Sequence, residues 1–391
     1  MGTRFRFLAG IAVPVLLLTL SACKTSDSSS TSSTGALFVA TQGDSSVSAY
    51  TINLSTGTLS AHGDSVPTGS VPAAMLLAPS GTALFVANSG TNDISAYSVQ
   101  SDGTLTAGAT TPTGGMTPLS MAMDSGGHFL FVANQGLQID PASGTISVFA
   151  VQDATLTAVP GSPFRVAEIG ASSGTGPAGV AVTPDAKFVY VSNQFDSTVT
   201  TFSVDASGVL TRGLVVPVGT SPSALAITSN GAFLYVANAS TLSGFAICNQ
   251  VVTSCSDPTA PDGTLTAIPG SPFSAGLGPV SIVPAPSGKF MFVVDRLSNQ
   301  ISEYKIATGT GVLTANTQAT ISTAANPVWA ALRVGTTTDA TTGGTTNYLY
   351  VAELGASSLS IYVFDSTVGT LGRVGPPITI TGGQPSAVAA E

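Results

Sequence analysis

The sequence predicts an all-β fold, a seven-bladed propeller of four-stranded antiparallel blades, and three observations lead there. An apolar phrase close to Leu-Phe/Tyr-Val-Ala-Asn recurs seven times. Pro-led apolar segments recur seven times as well, and an alternating segment and a Gly-Thr-Leu-Thr-like phrase follow the apolar phrase. A unit this small cannot bury both its faces alone, so it must stack on its neighbours.

We name the four strands of each repeat A to D, from the axis outward. The A strands are expected after Pro72, Pro118, Pro177, Pro222, Pro279, Pro327 and Pro385. The B strands are Leu37 to Thr41 (LFVAT), Leu84 to Asn88 (LFVAN), Leu130 to Asn134 (LFVAN), Val189 to Asn193 (VYVSN), Leu234 to Asn238 (LYVAN), Met291 to Asp295 (MFVVD) and Leu349 to Glu353 (LYVAE). C strands alternate polar and apolar residues, as in Asp93 to Tyr97 and Ser358 to Val363. D strands carry phrases such as Gly57 to Ser60, Gly103 to Thr106 and Gly263 to Thr266. Period-two alternation bounded by Gly, Asn and Ser is the pattern of short strands, and no segment reads as a helix of ordinary length.

Setting aside the first 34 residues leaves 357, or about 51 per repeat, near the roughly 40 to 50 of a four-stranded blade. The first B strand, at Leu37, has no A strand before it, and the last A strand, Pro385 to Ala390, has no B strand after it. The C-terminal strand is therefore expected to close the ring against the N-terminal blade, protecting edges that would otherwise template aggregation. Near-copies at Val159 to Phe164 (VPGSPF) and Ile268 to Phe273 (IPGSPF) support the same register.

Charged residues make up 8% of the chain, against a usual value of about 25%. With 43 Gly and 24 Pro, this suits many buried strands and tight turns. Two of the eleven basic residues precede Cys23 and all twenty acids follow it, so the exported part carries a charge of −11. Such a surface repels phosphate backbones, which argues against a nucleic-acid partner.

Arg4 and Arg6 precede an apolar run from Phe7 to Leu20, too short and wrongly flanked for a spanning helix, and read as a signal peptide. The expected organisation is a signal peptide over 1–22, Cys23 with a flexible Ser/Thr tether over 23–34, and the propeller over 35–391. Leu20-Ser21-Ala22-Cys23 resembles the bacterial lipobox, which implies a lipidated Cys23 and attachment to the cell envelope by that anchor alone, on the periplasmic or surface side of an outer membrane. The alternative is a soluble secreted protein cut after Ala22. Cys248 and Cys255, seven apart in an interrupted repeat, either form a local disulfide or remain free thiols.

The succession P-x-x-apolar, L-Y-V-A-N and S-x-F-x-x-D-x-x-G-x-L-T resembles the bacterial lactonase family of seven-bladed propellers, including the propeller-type 6-phosphogluconolactonases, and the related YVTN-repeat surface proteins. The resemblance covers about residues 35 to 391 and implies a hydrolase of a sugar or related lactone. A non-catalytic scaffold binding a partner at the envelope is the alternative. Either way, a monomer without a cofactor is expected.

Lactone hydrolysis needs a base for water and donors for the developing oxyanion. Propeller ligand sites use the face carrying the B–C and D–A connections, where the B strands end. Glu353 and Asp295 break the Asn pattern there and are the candidate bases, and Arg296 and Arg165 are the candidate groups for a carboxylate, phosphate or oxyanion. Two lengthened loops bring Asp140, Arg165 and Glu168 to the same rim. Arg165, Glu168 and the asparagines Asn88, Asn134, Asn193 and Asn238 are candidates for substrate binding, although an Asn at such a position also satisfies its own turn. The family places histidines around the mouth. Here His62 is expected at the end of an outer strand and His128 in an A–B turn on the other face, a departure that weighs against catalysis. Gly174 to Gly179 matches G-x-G-x-x-G but leads into a strand, so no dinucleotide site is expected. Two distant histidines and paired cysteines give no transition-metal set, and sparse acids argue against calcium near Asp196 or Asp295.

Overall fold

The computed structural model describes residues 34–140, 142–168, 175–249, 261–334 and 347–391. The signal, Cys23 and the tether up to residue 33 lie outside the described residues, as does Cys255. The strands form seven separate antiparallel sheets, and all described regular structure is strand.

Ring closure is as expected. The C-terminal strand Pro385–Ala390 pairs antiparallel with Thr34–Thr41, setting Leu37 opposite Ala390 and Val39 opposite Val388. It becomes the inner strand of a blade completed by Ser46–Asn53 and Leu59–Pro67. The second blade, Pro72–Leu77, Ala83–Asn88, Asp93–Val99 and Leu105–Pro112, shows the plain order.

Two details differ from the sequence expectation. The D strands run well beyond the Gly-Thr-Leu-Thr phrase, and three of them, in the third, fifth and seventh blades, split into two pieces pairing with the same C strand. The Pro222-led inner strand is short, Leu225–Ile227. The glycine of the D phrase belongs to the C–D hairpin rather than to the strand. At Gly311 the backbone has φ +69, and an added Cβ would lie 2.5 Å from the Phe233 ring of the preceding blade. Only glycine meets both demands at low cost. The Gly311 carbonyl in turn accepts a 2.6 Å hydrogen bond from the Tyr235 hydroxyl, fastening one blade to the next.

The core is divided into seven apolar seams, one between each pair of neighbouring blades. Because each blade is covered on both faces, the B strands are buried throughout and read as continuous apolar runs rather than alternating ones. Each fully buried Leu, Val or Phe contributes about 1.5–3 kcal/mol, so the seams dominate stability.

Candidate functional site

Seven prolines open the A strands, and the residue before each adopts a left-handed backbone: Val71, Thr117, Gly176, Ser221, Gly278, Asn326 and Gln384, with φ between 49° and 65°. A residue before proline disfavours this region, and a non-glycine there costs of order 1–3 kcal/mol. What holds it is a hydrogen bond. In six blades its carbonyl accepts from the backbone N–H of the residue just past the B strand, as in Arg296 N–H to Gly278 at 2.9 Å and Gln194 N–H to Gly176 at 2.8 Å. In the fifth blade Ala239 bonds to Thr220 instead, at 2.9 Å.

In four blades this clasp positions the side chain of the residue after the B strand at the mouth of an axial cavity of about 560 Å³. Gln42, Gln194, Arg296 and Leu354 come from that ring position. The inner strands supply the walls, including Ser223, Ser281 and Trp329. Trp329, the sole tryptophan, packs against three of the seams, so it spans the axis rather than belonging to one blade. Arg296 is the one charged side chain among the lining residues. Gln135 donates to Gln194 at 2.7 Å and Gln42 to the Pro72 carbonyl at 3.2 Å, each bridging adjacent blades.

The residues that end the B strands occupy a different place. Asn88, Asn134, Asn193, Asn238, Asp295 and Glu353 are buried and do not line the cavity. Each grips the C strand of its own blade. Asn193 donates to Thr198 and Thr200 at 2.9 and 2.8 Å, and Asn134 to Thr145 and Ser147 at 3.1 and 2.7 Å. Glu353 accepts from Ser358 and Ser360, both at 2.6 Å, and from the Ala324 N–H at 2.7 Å. Asp295 accepts from Ser302 at 2.6 Å and from Gln300 at 3.4 Å, while its Oδ1 has no hydrogen-bond partner. Burial pushes the Asp295 carboxyl up to about 6, and the Ser302 and Gln300 bonds offset only part of that rise.

The described residues of the third blade's long loops do not line the cavity. Arg165 is exposed in the outer strand piece Phe164–Arg165, and Glu168 pairs with Arg212 of the fourth blade at 3.0 Å. Asp140 caps its own loop by accepting from the Ala142 N–H at 2.9 Å. His62 sits within the outer strand Leu59–Pro67, and His128 contacts Asp124 at 3.0 Å in an A–B turn on the far face. Cys248 is buried and disulfide-bonded. Among the described residues no group of three or more His, Cys, Asp or Glu could hold a metal ion, and no helix is long and apolar enough to cross a membrane.

Sequence reasoning reached Arg296 but passed over Gln42, Gln194 and Trp329. The available signal was positional, since each glutamine directly follows the residue ending a B strand, as Arg296 follows Asp295.

Seven stacked blades around an axial cavity, with polar groups gathered at one end, define a closed seven-bladed propeller with a central cavity. Residues 58–159 and 139–247, together just under half of the chain, match the family described as lactonase, 7-bladed beta-propeller. Among solved structures, a candidate 6-phosphogluconolactonase of Bacteroides uniformis is similar, with 20% identity and a TM-score of 0.71 over 92% of this chain and 100% of that one. One from Bacteroides fragilis gives 21% and 0.70 over 93% and 100%. The periplasmic gluconolactonase of Pseudomonas aeruginosa gives 19% and 0.69 over 92% and 99%. At these identities the likeness establishes the fold alone. No curated protein matches the sequence.

Proposed function

We propose that the chain is an exported, lipid-tethered lactonase-like propeller whose axial cavity holds a sugar-type lactone or the hydroxy acid to which it opens. One observation carries this reading: the sole tryptophan and the one lining charge share a single cavity of about 560 Å³. That volume is within the roughly 300–1,000 Å³ of small-molecule sites. An indole offers a flat apolar face to a sugar ring, the amides of Gln42 and Gln194 suit ring hydroxyls, and a guanidinium matches a carboxylate in bidentate fashion. The structural neighbours named as lactonases lend the same direction.

Hydrolysis is the reaction the family match favours. Water oxygen bonds to the lactone carbonyl carbon, the bond from that carbon to the ring oxygen breaks, and the departing oxygen takes a proton. In this reading Arg296 stabilises the oxyanion. Asp295 is the base, favoured by its raised pKa and its Oδ1 without a hydrogen-bond partner. Glu353, with both oxygens engaged, keeps its blade together. Binding without turnover describes the envelope scaffold, and the absence of carboxylate or imidazole among the lining residues favours it.

A titration of Trp329 fluorescence with gluconate and δ-gluconolactone, run beside acid release from unphosphorylated lactones, tests both. Binding with turnover that is lost in an Asp295→Asn variant that still binds supports the hydrolase, and binding without turnover in wild type supports the scaffold. No response to either compound, by fluorescence or calorimetry, overturns the cavity assignment. Anchoring through Cys23 predicts that Cys23→Ser moves the protein from the membrane fraction to the soluble one; unchanged partition removes the tether from the reading.

A further inference from the structure

Resting on the axial cavity as the ligand site, we infer that it selects a sugar lactone or sugar acid bearing at most one negative charge and turns away the phosphorylated counterpart. Three observations converge. Arg296 is the one charged lining residue, with no lysine, histidine or second arginine beside it. A phosphomonoester carries about −1.5 to −2 at neutral pH, so one guanidinium leaves it undercompensated. A carboxylate is matched by the same group.

Backbone donors do not make up the difference. Phosphate sites commonly use helix N-termini or nests of free N–H groups. The described regular structure is all strand, and the N–H groups of Gln42, Gln194, Arg296 and Leu354 at the mouth are each bonded to a pre-proline carbonyl.

The surrounding face is also acidic. Asp44, Asp93, Asp140 and Asp196 lie in or beside B–C connections, and Asp295 and Glu353 end B strands at the same level. Among the described residues the basic groups at that face are Arg296 and, at the end of an outer strand piece, Arg165. Like charge across a ligand interface costs several kcal/mol in general and slows the approach of an anion. A neutral lactone, or a monocarboxylate seated on Arg296, avoids that repulsion.

The test is a Trp329 fluorescence titration of the intact propeller with gluconate, δ-gluconolactone and 6-phosphogluconate, with calorimetry as a second readout. Gluconate is expected to bind at least about tenfold more tightly than 6-phosphogluconate. Leu354→Arg places a second guanidinium at the ring position equivalent to that of Arg296 and should narrow this ratio by about tenfold. Arg296→Gln should weaken gluconate, whose carboxylate it seats, more than the neutral δ-gluconolactone, without lowering the melting temperature. If 6-phosphogluconate binds wild type as tightly as gluconate, or Leu354→Arg leaves the ratio unchanged, the selectivity is overturned while the site stands. If neither compound binds by either readout, the cavity assignment itself fails.

Discussion

Asp295 accepts a 2.6 Å hydrogen bond from Ser302, whereas Asn88, at the same place in the second blade, donates to the equivalent Ser95 at 3.0 Å. The neighbouring partner is exchanged to match. Asn88 donates to the carboxylate of Asp93 at 2.7 Å, and Asp295 accepts from the amide of Gln300 at 3.4 Å. Donor and acceptor have traded ends of one staple, and the exchange places a titratable group in a site where the second to fifth blades carry a neutral one.

That exchange gives stability a pH dependence. Burial raises Asp295 to about 6 and Glu303, at the seam of the sixth and seventh blades, to about 7. Both folded values exceed the unfolded ones, so the native state holds more protons across the interval between them. Their stabilisation is fully present below about pH 4 and is lost as pH rises through about 6 and 7. The combined loss is of order 2–5 kcal/mol. Thermal melts from pH 4 to 8 should show it, and an Asp295→Asn/Glu303→Gln variant should melt with a flatter profile. An unchanged profile would show that neither group holds the extra proton.

Removing residues 385–391 strips the first blade of its inner strand, including the buried Ala387, Val388 and Ala389. The bare edge of Thr34–Thr41 and an opened ring should lower stability by more than about 3 kcal/mol and promote association. Melting and light scattering on the shortened chain measure both, and an unaltered melt contradicts closure by this strand.

Tyr235→Phe deletes a hydroxyl that the buried Gly311 carbonyl uses at 2.6 Å. The orphaned acceptor should cost about 1–3 kcal/mol in urea unfolding, with little change in the slope. A cost below a few tenths of a kcal/mol would mean the blade-to-blade bond contributes nothing net.

Gly115 passes so close to Asn134 that an added Cβ would lie 2.5 Å from its amide. Gly115→Ala should destabilise by about 1–3 kcal/mol, and combining it with Asn134→Gly should recover part of that loss, because the whole clashing side chain, its Cβ at 2.6 Å included, is then gone. Additive effects in the double-mutant cycle would place the strain elsewhere.

Much of the architecture is legible in the chain. The LFVAN-like phrases mark the B strands, the Pro-led segments mark the inner strands, and the unpaired first and last phrases imply closure across the termini. The D strands were harder to bound, because their C–D glycines look like strand starts until the approach of Phe233 to Gly311 shows why a hairpin residue is needed there. The candidate site was legible only to within one residue. The irregular Asp295 and Glu353 drew notice by breaking a pattern, yet a break in a repeated staple marks a changed staple first.

The sequence by itself determined the number of blades, the order of strands and the joining of the ends, because repeated apolar phrases have to find repeated partners. Only the tertiary structure decided which side chains meet the axis. Alternation sorts a strand's residues between two faces, and in a propeller both faces are covered by neighbouring blades. Access to the cavity is instead set by turns: in six blades the left-handed residue before the proline bonds the residue after a B strand, which brings Gln42, Gln194 and Arg296 to the mouth and leaves Asn193 and Asp295 buried behind them.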